Sequence, residues 1–319
     1  MLKDLTYKVI VIDDEQELYE DYIEHIDEKL SSEGYLLEHE RYEELSDLDE
    51  HTISDVDLFL VDLKFGKEDR GPEFIKKIRE NQLTDILFYS SDLTSIESYR
   101  TSGKFQGVFF AIRDENKSEV LAMIDQLIAK MIKRSNTPIS SRGIVLGGVA
   151  ELDNIIKTKI ALLLKSLKPE TIDELIKSCL RIYYDSFKGQ SSKVSDFFGC
   201  TFHEGIKEWD RIKNNASTWD IIDLINNIRI TDSNKNFRVL LKIYKKKYKE
   251  DDTYNTIKEI EKLLKDRNIL AHVQEELNSD KYYQFKRPDE EGFLILSEET
   301  CKELRCSIIN FGDVLSKIV

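Results

Sequence analysis

Cysteine is scarce in this chain of 319 residues: there are four, Cys179, Cys200, Cys301 and Cys306. No two of them form a CxxC or CxxxC pair, so the spacing suggests neither a zinc cage nor a disulfide framework, and a reducing cytosol suits such a chain. Long apolar runs are missing as well, since no stretch approaches the roughly 18 residues that a membrane helix needs. The N-terminus, MLKDLTYKVIVIDDE, reaches acids before a signal-peptide core could form. A soluble, cytoplasmic protein is therefore expected. Neither a GxGxxG fingerprint nor a Walker lysine is present, which argues against a phosphate loop. No basic recognition helix stands in a helix-turn-helix context, so a DNA-binding regulator is the weaker reading. Internal repeats and long low-complexity tracts are absent too.

What is present suffices for folded cores. Hydrophobic residues make up 40% and charged residues 34% of the chain, and its length suits two domains. The net charge of −14 is unevenly placed: residues 1–134 hold 32 acids and 17 bases, leaving 29 acids and 30 bases beyond them. An acidic surface repels phosphate, so the C-terminal part is the better candidate to meet a polyanion.

Along the first 134 residues, short apolar runs alternate with helical patterns. Strands are expected at 8–12, 35–40, 57–61, 85–89 and 107–112, and helices at 15–30, 43–48, 72–80, 94–101 and 117–133. Runs such as VIVI and LFLV are apolar on both faces of the pleat, as parallel strands buried between helices must be. The expected fold is an α/β doubly wound, five-stranded parallel sheet. Residues 135–149, rich in Ser and Gly, read as a linker with Gly147 and Gly148 as a hinge. From residue 150 onward the period becomes helical, with patterns at 151–164, 172–180, 206–212, 219–228, 237–248, 256–271 and 298–318 and one strand at 292–296. A mostly α-helical second domain, 150–319, follows.

The acids Asp13 and Asp14 fall at the end of the first expected strand, and Asp62 at the end of the third. In a doubly wound sheet those ends flank the ligand crevice. Carboxylates gathered there repel one another unless a hard divalent cation such as Mg²⁺ joins them. KVIVIDDE, DLFLVDL and FYSSD, taken in that order, resemble the receiver domain of two-component response regulators over residues 6–134. The resemblance implies a phosphorelay role. Asp62 would be the phosphoacceptor; Asp13, Asp14, Asp62 and the Lys64 carbonyl would hold Mg²⁺; Ser90 would sense the phosphate. A sensor kinase or docking protein would be the partner. Receivers usually carry a lysine after the fifth strand; here Ala111 or Ile112 stands at that place, with Arg113 the nearest base.

Near the end of the expected helix 256–271 lies Asp266-Arg267-Asn268-Ile269-Leu270-Ala271-His272. Asn268 and His272 share a helix face at four residues' spacing, with Arg267 about 100° away from Asn268. Histidine for proton transfer and a permanently charged, fork-shaped arginine suit RNA cleavage without a metal, in which a 2′-hydroxyl is deprotonated and phosphate charge neutralised. The blander alternative has Arg267 paired with a neighbouring acid and His272 capping the helix end. RNxxAH on a late helix of an all-α domain resembles the HEPN superfamily (higher eukaryotes and prokaryotes nucleotide-binding), many of whose members are ribonucleases with an RxxxxH motif. That resemblance implies catalytic roles for Arg267 and His272, support from Asn268, no metal, and a homodimer with a composite site.

Lys242, Lys245, Lys246, Lys247 and Lys249 interleave with Tyr244 and Tyr248 and are weaker candidates for RNA binding. Two functions compete. One is a receiver-regulated endoribonuclease, a toxin-like effector in bacterial antiviral defence or stress response by family resemblance. The other is a non-catalytic two-component signalling adaptor whose helical domain dimerises or binds protein.

Overall fold

The computed structural model describes residues 2–43, 48, 53, 55–63, 75, 78, 84–102, 106–167, 175, 177–183, 201, 203–204, 207, 222, 225–226, 232–288 and 292–318. The chain divides into two compact units: Lys3–Ser141 with Cys301–Cys306, and Met1–Leu2 with Arg142–Thr300 and Ser307–Val319.

In the first unit, strands β1 (Thr6–Ile12), β2 (Leu36–Tyr42), β3 (Leu58–Asp62), β4 (Asp85–Ser90) and β5 (Val108–Ile112) form one all-parallel sheet in the order β2-β1-β3-β4-β5. Their ends lie within two residues of the expected ones. β3 is buried along its whole length, and β1 and β4 nearly so, because helices cover both faces of a doubly wound sheet. Helix α1 (Gln16–Ser32) buries Leu18, Tyr22, Ile26 and Leu30, every fourth residue, so a single stripe faces the core. Helices α2 (Leu93–Ser102) and α3 (Ser118–Ser135) follow β4 and β5, and α3 buries Val120, Ile124, Leu127 and Ile128. The helices expected at 43–48 and 72–80 fall almost wholly outside the described residues. Strand order reverses between β2-β1 and β3-β4-β5, so the ends of β1 and β3 open onto the switch-point crevice.

The turn after α1 is built around Arg305, which stands in the part of the C-terminal helix that belongs to this unit. Arg305 is only 2% exposed. Its Nε donates to the Glu33 carbonyl at 2.9 Å and its Nη1 to Asn136 Oδ1 at 2.8 Å, and its guanidinium lies 4.7 Å from the centre of the Tyr35 ring. Gly34, between them, has φ +76°, and a Cβ there would fall 2.8 Å from the Arg305 Cβ and 2.9 Å from the Cys306 nitrogen. Gly34→Ala therefore combines left-handed strain with overpacking, and thermal melting should show a loss of about 2 kcal/mol or more.

The second unit is mostly helical. It contains α4 (Pro138–Ser166) from Arg142 onward, α5 (Ser233–Tyr248), α6 (Asp252–His272) and, around the segment 301–306, α7 (Glu298–Ser316). Asp232, Asp251 and Ser297 cap α5, α6 and α7 by accepting backbone N–H bonds from Lys235, Tyr254 and Thr300. A small antiparallel sheet, β6 (Glu276–Leu277), β7 (Tyr283–Lys286) and β8 (Phe293–Leu296), follows α6. Only β8 was legible as an expected strand.

The segment expected as a linker is helical from Pro138 onward. Proline at the first helical position loses nothing, because its missing N–H would have no partner there. Gly148 is no hinge: a Cβ at that position would fall 2.9 Å from two carbons of Ile308, so the glycine admits close helix packing inside this unit. The patterns at 206–212 and 219–228 lie largely outside the described residues, and within 172–180 the described residues 175 and 177–180 are helical. Cys179 and Cys306 are free thiols, and burial pushes the Cys179 thiol up to about 12. Alkylation at mildly alkaline pH should label half-buried Cys306 before buried Cys301 and reach Cys179 only after denaturation, as peptide mass mapping would read.

Candidate functional site

Two places gather the chemistry expected from the sequence, one in each unit. At the sheet's crevice, Asp13 follows β1 and Asp62 closes β3, and both are buried. Asp14 is exposed. Asp13 Oδ1 accepts the Glu15 N–H at 2.7 Å, and its Oδ2 accepts the Tyr89 hydroxyl. Burial raises the Asp13 carboxyl above its ordinary value, with those two donors pulling the other way. The Tyr89 hydroxyl is pushed far up, by burial first and then by the Asp13 charge. Tyr22 of α1 packs edge-on against Tyr89, ring centres 5.3 Å apart. From β2, Arg41 donates to the carbonyls of Asp13 at 3.1 Å and Asp14 at 2.8 Å, which fixes the turn that presents both acids.

Arg113 follows β5 directly. Its backbone N–H donates to the Ser90 carbonyl at 2.8 Å, and its Nη1 lies 3.6 Å from Asp62 Oδ2 and 3.0 Å from Glu15 Oε1. Burial disfavours the guanidinium's charge, but Asp62 and Glu15 outweigh it and hold the group above its usual value. A cation thus does reach Asp62 from the end of the fifth strand. Ser90 is fully buried, and its Oγ accepts the Asp92 N–H at 3.2 Å. Lys64 lies outside the described residues. Among the described residues, no group of three or more His, Cys, Asp or Glu side chains is placed to hold a metal ion. Arg113 was visible in sequence only as the nearest base and Tyr89 only within FYSSD at the end of the fourth strand; Arg41 gave no signal there, because its role depends on strand register.

In the helical unit, α6 ends at His272, which is exposed, and Asn268 lies one turn earlier, also exposed. Arg267 Nη1 donates to Asn268 Oδ1 at 3.0 Å. The acid next to it, Asp266, is buried and pairs with Arg287 at 2.9 Å instead. Asn268 and His272 border two clefts at once. One, of about 380 Å³, is also lined by Lys265, Ile269, Val273, Arg287 and Pro288. The other, of about 460 Å³, is lined by Arg267, Leu264, Lys235, Arg238, Asp232, Ser233 and Asn234.

Five permanent cations, Lys235, Arg238, Lys265, Arg267 and Arg287, therefore line these openings with one carboxylate, Asp232, which caps α5 and pairs with Lys235 at 2.9 Å. The arrangement has the charge and the polar groups to seat a phosphodiester. Lys265, Asn268 and His272 share a face at i, i+3 and i+7, which the sequence carries; Arg238 and Arg287 come from other elements and left no trace in it. Of the candidate RNA-binding lysines, none lines either cleft. Lys242 donates to the Ser178 carbonyl at 3.2 Å, Lys245 pairs with Glu250, and Lys247 lies 4.8 Å from the Tyr248 ring centre. Lys246 and Lys249 are exposed, while Tyr244 is buried with its hydroxyl donating to Asp251 at 3.0 Å. Neither a scan against protein-family models nor searches of curated proteins and of solved structures returns a match to this chain.

Proposed function

We propose that the chain is an endoribonuclease of the HEPN type whose helical unit cleaves RNA without a metal and whose sheet unit is a receiver-like control module. The observation that carries this reading is that Arg267, Asn268 and His272 lie together on open clefts lined by cations. His272 would move the proton of the attacking 2′-hydroxyl, and Arg267 would neutralise the phosphate oxygens as charge develops. Asn268 is the positioning residue, since its Oδ1 holds the guanidinium. Lys265, Arg238 and Arg287 would hold the flanking backbone, a salt-sensitive contribution. Two copies pairing along α6 would bring two such motifs to one substrate, and a change at Asp62 or a partner docking on the crevice would control that pairing. A toxin-like role in antiviral defence or stress response fits an enzyme of this kind.

The reading is tested by incubating the purified protein with total RNA in the presence of EDTA. Cleavage that continues undiminished supports it; intact RNA rules it out.

A second reading has its own observation. Phe293 and Ile295 on β8, with Leu277 and Tyr282, are large apolar side chains at least 40% exposed on or beside the small sheet. A signalling adaptor that binds protein would use such a patch.

A further inference from the structure

The crevice of the sheet unit carries an inference that stands independently of the ribonuclease reading. The resemblance to receivers implies a divalent cation among Asp13, Asp14 and Asp62, and carboxylate oxygens are the donors that Mg²⁺ prefers. Both buried carboxylates are, however, already engaged by donors of the chain itself. Asp13 accepts the Tyr89 hydroxyl on one oxygen and the Glu15 N–H on the other, and Asp62 has the Arg113 guanidinium 3.6 Å away. An ion entering between them would have to dislodge a guanidinium and compete with a hydroxyl and an amide. As arranged, these side chains do not fit a resident metal.

We propose that Arg113 is the resident cation of this crevice, neutralising Asp62 in place of a divalent metal ion. A buried carboxylate needs a partner, because an isolated charge in a dry interior is strongly disfavoured. Arginine meets the need permanently, since it does not lose its proton in proteins. Its Nη1 also reaches two acids at once, Asp62 on β3 at 3.6 Å and Glu15 at 3.0 Å just before α1, while its own backbone is tied to the Ser90 carbonyl at the end of β4. The guanidinium thereby joins three of the segments that frame the crevice. Any event at Asp62, whether covalent modification or a docking cation, has to break this pair first, which makes the pair the latch on which an input would act.

The test is the melting temperature of the full chain with and without MgCl₂ at matched ionic strength. The wild type is expected to be indifferent to Mg²⁺. Arg113→Gln, which removes the guanidinium charge beside Asp62, is expected to melt lower and to regain several degrees on adding Mg²⁺. Arg113→Lys should behave as the wild type, and Asp62→Asn in the Arg113→Gln background should abolish the metal response. A wild type that gains as much from Mg²⁺ as the variant overturns the proposal, as does an Arg113→Gln protein that stays flat. Should that variant fail to fold, calorimetric titration of the wild type with Mg²⁺ decides: no saturable binding is expected, and saturable binding that Asp62→Asn removes is the contrary result.

Discussion

Alanine in place of His272 should slow RNA cleavage by about a hundredfold to ten-thousandfold, the range in which a lost general acid or base is felt. The same substitution should leave the melting temperature nearly unmoved, because His272 is exposed at the last position of α6. Arg267→Ala should lower the rate by about a hundredfold to a thousandfold, as removal of a donor to a developing oxyanion does. Arg267→Lys should recover part of that, keeping the charge but not the fork that Asn268 orients. Asn268→Ala should cost less than either, since Arg267 retains its charge and loses only its alignment. Rates are measured on one labelled RNA in EDTA. A His272→Ala protein as fast as the wild type would assign the histidine a structural role and favour the adaptor.

The second large effect concerns folding. Arg305→Ala should lower stability by about 3 kcal/mol, since it strips the donors from the Glu33 carbonyl and Asn136 Oδ1 and empties a site packed on Tyr35. Its neighbour Gly34 has no side chain to offer the gap, and its φ of +76° disfavours placing one there. Arg305→Met should recover part of the loss by filling the volume, at the price of the two hydrogen bonds. Denaturant unfolding of the variants reads both effects; an Arg305→Ala protein as stable as the wild type would mean that the buried guanidinium contributes nothing net.

The sheet was legible because its signal is local: VIVI and LFLV are apolar on both faces, and acids at their ends mark where chain leaves the core. The crevice was legible only in part. Asp13 and Asp62 follow from strand ends, but the partners that decide their chemistry depend on register: Tyr89 stands opposite Asp62 and turns its hydroxyl to Asp13, and Arg113 is one residue past the place where a base was looked for. In the helical unit, the period of α6 placed Asn268 and His272 on one face. The other walls, Arg287 and Pro288 in one cleft and Asp232, Ser233, Asn234, Lys235 and Arg238 in the other, stand more than a dozen positions away in sequence, and no spacing rule reaches them. Gly148 misled, because a glycine that admits a neighbouring helix looks in sequence like one that ends a helix. β7 was missed because four residues between charged turns carry too short an alternation to stand out.

On the proposed reading, His272 takes the proton of an RNA 2′-hydroxyl, whose oxygen attacks the adjacent phosphorus and expels the 5′-oxygen while Arg267 neutralises the phosphate oxygens. The most direct measurement maps a cleavage site on a short RNA and repeats the reaction with a single 2′-deoxynucleotide immediately 5′ of that bond. Cleavage at that bond is expected to vanish while other sites persist, with the wild-type products ending in 2′,3′-cyclic phosphate and 5′-hydroxyl. Undiminished cutting at the deoxy position would contradict the claim.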